Sequence, residues 1–292
     1  MKHRVTSLFF LFTAAMIWGL AFVAQCDIGT LGPFAFLASR SFLGTLTLVP
    51  VILGFERKPL LDAKGKSTLW CGAITGTVLF IASILQQIGI NLDPNAGKAG
   101  FITGLYTVLV PVISFLLWRK KTGVHIWIGA VLALTGLYLL TVTPGTSGIR
   151  ISDLFLLIGA IFWAFHILTI DQFLDKVHPI RFSAVQFFTC GVWALIFSLV
   201  LEQPSLSQLP SAWFAILFCG VLSSGVGYTS QILGQRNFDP TLASIILSTE
   251  SLFSAVGGAI FLQERMSLAG IIGAVLMFAG IIISQLKQKT SA

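Results

Sequence analysis

The sequence predicts an all-α membrane protein of ten transmembrane helices, arranged as two inverted five-helix repeats. Three observations carry this. The 292 residues are 55% hydrophobic and only 10% charged, with a mean hydropathy of +0.91, whereas soluble proteins are about 25% charged. So few charges cannot cover a water-soluble domain of this length. Ten apolar stretches are separated by turn residues, each near the ~20 residues that a span requires. Finally, matching residues recur at an offset of 144 to 146 along the chain.

The stretches run roughly 5–25, 33–55, 68–90, 95–118, 123–142, 153–171, 180–201, 211–233, 240–262 and 267–286. The first follows Lys2, His3 and Arg4, as a signal peptide would. Its length, the nine spans behind it and the Gln of Ala24-Gln25-Cys26 make it a retained helix instead. Asp27 and Gly29–Gly32 end it. The second opens on Pro33, and a charged segment from Glu56 to Ser67 separates it from the third. Asn91–Asn95 is turn-like, with Asp93 an expected N-cap and Pro94 the first helical residue of the fourth. Pro144–Gly148 divides the chain near its midpoint, giving repeats 1–146 and 147–292. Pro179 opens the seventh stretch, and Asp239-Pro240 caps and opens the ninth.

The repeat is read from residues in register. Leu92-Asp93-Pro94 is echoed by Phe238-Asp239-Pro240, and Gly129-Ala130-Val131-Leu132 with Gly136 by Gly273-Ala274-Val275-Leu276 with Gly280. Gln86 and Gly89 match Gln231 and Gly234, and Trp18 matches Trp163. Five helices per repeat is an odd number, so the second copy enters the membrane from the other side. Secondary transporters commonly use such inverted repeats, with the site between them near mid-membrane. Lys and Arg set the orientation. With the N-terminus cytoplasmic, that side holds Lys2, Arg4, Arg57, Lys58, Lys64, Lys66, Arg119, Lys120, Lys121, Lys176, Arg181, Arg236, Lys287 and Lys289, and the other side only Lys98, Arg150 and Arg265. Both termini are therefore expected in the cytoplasm of a multi-pass cell-membrane protein.

The segments Ile17-Trp18-Gly19-Leu20-Ala21-Phe22-Val23 and Gly32-Pro33-Phe34 through Arg40 resemble the first repeat of EamA-type proteins of the drug/metabolite transporter superfamily. Ser248-Thr249-Glu250-Ser251-Leu252, then Leu262-Gln263-Glu264-Arg265 and Gly270–Gly280, resemble the end of the second. The resemblance covers both repeats. It implies a ten-helix carrier, an exporter of amino acids, metabolites or drugs, with a cavity between the first, third, fourth, sixth, eighth and ninth helices. The chain departs from the family pattern at Trp118-Arg119-Lys120-Lys121, where an acid is common.

Ionisable groups inside a span cost about 2.5–3.5 kcal/mol and are functional candidates by default. Arg40 and Glu250 are two. Glu250 shares a face with Ser254 and Gly257, and small faces pack helices together. It is read either as an acid joining helices, by accepting a hydrogen bond or pairing with Arg40, or as a proton-coupling or substrate group. Arg40, four residues before Gly44, is read either as a packing charge or as a site charge, and its repeat counterpart is Gln186. His166 lies one turn after Trp163 and titrates near neutral pH, so it is either a packing group or a coupling group. Trp18 and Trp163 either line the cavity, stacking on substrate, or fill space. Ser83, Gln86 and Gln87, and Ser224, Tyr228 and Gln231, make two polar faces that lipid would reject, and both are expected to line the cavity. Thr103, Tyr106 and Gln25 join them.

Other chemistry lacks a signature. There is no GxxxxGK[ST] phosphate loop, no HExxH and no GxSxG, so no cofactor, metal or catalytic residue is expected. The basic balance reflects loop topology rather than nucleic-acid binding. Cys26, Cys71, Cys190 and Cys219 lack CxxC spacing and read as small buried residues. Gly72–Gly76 and Gly100–Gly104 have the GxxxG spacing of a homodimer face. The expected function is secondary-active export of a small organic solute, zwitterionic or neutral, with proton coupling through Glu250 and His166. The rivals are a passive facilitator or channel of the same fold and a membrane-embedded lipid enzyme. The enzyme would need clustered acids, whereas Asp27, Asp93, Glu202 and Glu264 are scattered.

Overall fold

The computed structural model describes residues 2–55, 63–119, 123–141, 150–263 and 268–284, and among them there is no strand. The α-helices are α1 (Lys2–Gln25), α2 (Pro33–Phe55), α3 (Ala63–Leu92), α4 (Ala96–Gly104), α5 (Tyr106–Trp118), α6 (Val124–Thr141) and α7 (Ile151–Phe173). They continue with α8 (Pro179–Leu201), α9 (Trp213–Leu217), α10 (Tyr228–Gln235), α11 (Pro240–Leu247), α12 (Glu250–Phe261) and α13 (Leu268–Ser284). Eight segments of the described residues are long and apolar enough to cross a membrane. They begin at Arg4, Pro33, Lys66, Ala96, Ile151, Pro179, Leu206 and Pro240. The shorter helices α6 and α13, at the fifth and tenth expected stretches, pack on each other. Large apolar side chains cover the outside, Val200 and Leu206 among them, as a lipid-facing surface requires.

Helix starts follow local chemistry. Pro33 and Pro179 stand at the first helical positions, where the missing N–H costs nothing. Glu202, at the end of α8, accepts from the N–H groups of Phe34 and Ala35 at 2.8 Å each. It thereby satisfies donors that the start of α2 leaves unpaired. Asp239 caps α11 through the Thr241 N–H at 2.9 Å. The fourth stretch differs from the expectation: its cap is Asn95, which accepts from Lys98 N–H at 2.7 Å, and Pro94 precedes the helix. Asp93 is instead an ion-pair partner of Lys98 and Arg150, because Asn95 already occupies the capping position.

The eighth stretch departs most from a simple helix. It runs through a 3₁₀ segment (Leu206–Ala212), α9, a π-helix (Phe218–Gly227) and α10. The fourth and ninth break at Leu105 and at Ser248–Thr249. Around the centre, α1 packs on α10, α12 and the π-helix, while α7 packs on α3, α4 and α5, and α2 lies along α8.

Glycines set the closest approaches. A Cβ at Gly89 would lie 2.7 Å from Leu156 Cγ and 3.0 Å from Ser152 O. One at Gly234 would lie 2.7 Å from Leu11 Cγ and 3.0 Å from Ser7 O. Each member of the first set stands 145 positions from its counterpart in the second. Gly136 meets the Gly273 carbonyl and Gly280 the Gly129 carbonyl in the same reciprocal way. Gly72 and Gly76 pack on Val185 and Gln186, and Gly100 on Ser254. Both GxxxG pairs thus contribute to contacts inside the chain.

The Pro144–Gly148 division, most of the Glu56–Ser67 charges, Lys120, Lys121, Glu264, Arg265 and both chain ends lie outside the described residues.

Candidate functional site

A small hollow lies where α1, α2, α3, α4, α5, α7, the π-helix, α10 and α12 meet. It is lined by Trp18, Gln25, Arg40, Gln86, Tyr106, Trp163, Tyr228, Gln231 and Glu250, together with Thr103, Ser223 and three apolar side chains. Its volume is about 30 Å³, enough for a water or two and far below the ~300 Å³ or more of an open small-molecule pocket. It is a narrow space rather than a wide pocket.

Three aromatic rings form one wall. Trp18 and Tyr228 lie 4.6 Å apart between ring centroids, and Trp163 and Tyr228 6.1 Å. Trp18 Nε1 points at the Ser223 carbonyl at 3.5 Å. Behind that wall His166 meets Trp163 and Tyr228 edge-on, and its Nε2 lies 3.2 Å from Gln186 Oε1. His166 is fully buried and does not line the hollow.

Two charges face the space from opposite halves of the chain. Arg40, 5% exposed, donates from Nη1 to Gln25 Oε1 at 3.2 Å and lies 5.6 Å from the Phe36 ring centroid. Glu250, 3% exposed, stands beside Tyr106 at the start of α12. The expected Arg40–Glu250 ion pair is absent among the described residues. Arg40 is held by the Gln25 amide and an aromatic face, which leaves both charges directed at the hollow. The buried Trp163 Nε1, Gln231 Oε1 and Glu250 Oε1 also lack partners among the described residues.

Packing and lining divide between neighbouring residues. Ser254 and Ser251, on the small face that begins with Glu250, donate to the Ala96 and Gly100 carbonyls at 2.6 Å each. That face joins α12 to α4, and only the Glu250 carboxylate turns inward. Gln86 donates to Thr103 Oγ1 at 3.2 Å. Gln87 instead ties α3 to α1 through the Gln25 carbonyl at 3.2 Å. Ser224, expected on the cavity face, packs on Gly44, and Ser223 takes its place. A π-helix adds one residue per turn relative to an α-helix, so the i, i+4 spacing counted back from Tyr228 selects the wrong serine. The glycines at 220, 225 and 227 were the sequence signal for an irregular helix. The four cysteines form no disulfide; Cys190 and Cys219 are buried, and Cys26 and Cys71 partly so.

A larger hollow of about 370 Å³ lies across α1, lined by Leu20, Val23, Trp213, Phe214 and Phe261 with Asp27 at its rim. It lacks convergent polar groups and faces the apolar exterior.

The model of the EamA-like transporter family matches residues 5–142 and again 150–286. The chain belongs to the EamA-like transporter family. An uncharacterized transporter of Archaeoglobus fulgidus is 27% identical over 274 residues, covering 94% of this chain and 83% of that one. The uncharacterized transporter YoaV of Bacillus subtilis is 26% identical over 283 residues, covering 93% and 94%. The plant protein WALLS ARE THIN 1 of Arabidopsis thaliana is 32% identical over 112 residues, 36% of this chain. A crystal structure with 19% identity superposes with a TM-score of 0.78, covering 96% of each chain. That likeness extends to the fold. EamA-like membership makes this a multi-pass membrane transporter of the drug/metabolite transporter superfamily rather than a member of an enzyme family.

Proposed function

We propose that this EamA-like protein is a secondary-active exporter of a small zwitterionic solute, working by alternating access. Its ten helices form two inverted repeats, 1–146 and 147–292, with both termini in the cytoplasm of a cell membrane. The reciprocal contacts of Gly89 with Gly234 and of Gly136 with Gly280 support the repeats, since a two-fold relation would produce such matched pairs. The family model's two matched stretches support them as well. The narrowness of the hollow, about 30 Å³, favours a carrier over a facilitating pore, which needs a continuous path.

The observation that carries the substrate reading is the pair of buried charges without a mutual ion pair. A guanidinium favours a carboxylate, and the acceptor-rich Glu250, Gln231 and Tyr106 favour an ammonium group. Trp18, Trp163 and Tyr228 supply an apolar and cation-tolerant wall between them. Proton coupling is assigned to Glu250 rather than His166, because Glu250 faces the hollow and His166 lies behind the aromatic wall.

The test uses purified protein and three probes: phenylalanine, phenethylamine without the carboxylate, and phenylpropionate without the amine. Bound ligand stabilises the fold by RT ln(1 + [L]/Kd). Phenylalanine is expected to raise the unfolding temperature most, Arg40→Gln and Glu250→Gln each to remove that preference, and Glu250→Gln also to abolish dependence of uptake on a pH gradient in liposomes. Equal effects of the three probes, or none, on the unmutated protein would overturn the zwitterion reading.

A further inference from the structure

Directly beyond the matched contacts of Gly89 and Gly234, the two ends of the bundle are closed by different chemistry. At one end, Lys98 donates to Asp93 Oδ2 at 3.0 Å and to Asp153 Oδ1 at 2.6 Å, and Arg150 Nη1 donates to Asp93 Oδ2 at 3.3 Å. The Arg150 backbone N–H returns to Asp153 Oδ2 at 3.0 Å. The four residues make a closed, net-neutral ring that joins the α3–α4 link to the start of α7. Lys98, Asp93 and Asp153 are each a quarter exposed or less.

At the other end, the start of α1 meets the α10–α11 link. There the positions 145 from Asp153 and Lys98 hold Leu8 and Ala243, which carry no charge, while Arg4 and Asp239 stand 146 from Arg150 and Asp93. Asp239 caps α11, and among the described residues the closure consists of Arg4 over the Phe238 ring at 5.3 Å and Asn237 Nδ2 donating to Ser7 Oγ at 2.7 Å.

We propose that Asp93, Lys98, Arg150 and Asp153 are the latch of the outer gate, and that this latch, which has no equivalent among the described residues of the inner gate, sets the balance between outward- and inward-open states. The inference rests on the alternating-access reading. Opening outward separates the α3–α4 link from α7 and breaks the two ion pairs that cross between them, Lys98–Asp153 and Arg150–Asp93. Opening inward breaks one cation–π contact and one neutral hydrogen bond. Salt screens the partly exposed ion pairs more than a short cation–π contact or a neutral hydrogen bond. Ionic strength therefore acts mainly on the outer gate, and Lys98 on that gate alone.

The experiment places a single cysteine at Ala21, on the hollow, in protein whose four native cysteines are replaced. A membrane-impermeant methanethiosulfonate is applied to each face of vesicles, with its rate corrected against a free thiol at the same salt. Lys98→Met is expected to raise the outer labelling rate about fivefold, the order a lost half-buried pair allows, and to lower the inner rate. Phe238→Leu is expected to do the reverse. Raising salt from about 50 to about 500 mM should mimic Lys98→Met in the unmutated gate and have a smaller effect in that variant, where only the Arg150–Asp93 pair remains. The salt series keeps the test decisive if Lys98→Met fails to fold. Labelling from both faces at rates that neither Lys98→Met nor salt alters would overturn the latch alone. Labelling from one face only, in every variant and at every salt, would overturn alternating access together with it.

Discussion

The helix α3 and the segment Leu206–Gln235 occupy matching places in the two proposed repeats, yet one is an unbroken α-helix of 30 residues and the other changes winding three times. Their far ends agree. Gln86 and Gln231 both line the hollow, and Gly89 and Gly234 make the same contact one turn on. Before those residues the two diverge. In the π-helix, Tyr228 N–H bonds the Ser223 carbonyl, and Trp18 approaches that carbonyl too. A Cβ at Gly227 would sit 2.7 Å from the Trp18 indole nitrogen, so only glycine allows the ring this close. In the proposed repeat, the shared features place the site and the departure between the two halves gives it an aromatic wall on one side only. The same lesson holds for charge: Arg40 stands on the hollow, whereas its counterpart Gln186 turns to His166.

The largest effect expected from this comparison follows from removing the extra residue of the π-helix. Deleting Leu222 forces about 100° of rotation between what precedes and follows it, turning either Tyr228 or the α9 face away from its partners. Transport is expected to fall to background while the protein still reaches the membrane in a form that purifies as a monodisperse species. Transport near the unmutated rate would show that the irregular winding is incidental. A smaller effect sharpens the similarity. Gly89→Ala and Gly234→Ala each overpack a tight contact, at about 1–3 kcal/mol. The two losses, read from unfolding temperatures of the purified variants, should agree within about 1 kcal/mol. A loss at one position only would break the reciprocal relation.

Much of this was legible in the sequence. The polar face of Gln86, the pairing of Trp18 with Trp163, and Tyr228 and Gln231 all arise from spacing along helices that lipid forces to hide polar groups. Of the fourteen residues named for the cavity, ten line the hollow, and Ser83, Gln87, Ser224 and His166 do not. His166 falls outside because the 3.6-residue period places it on the Trp163 face without telling whether that face ends at a ring or at open space. Ser223 was hidden by π-winding, which no α-periodicity reveals. The Asp93–Lys98–Arg150–Asp153 ring was also hidden, since Asp93 carries the local pattern of a cap and its partner Arg150 lies 57 residues away. Arg40 and Glu250 were visible as costly charges, but their lack of a mutual ion pair depends on tertiary placement.

The opposed threading of the two halves is tested most directly by single cysteines at Asn91 and Asn237, exposed residues 146 apart at matching turns. Labelling with an impermeant maleimide in sealed vesicles of known orientation is expected to reach Asn91→Cys from outside and Asn237→Cys from the cytoplasmic side. Both reacting from the same side would contradict the account.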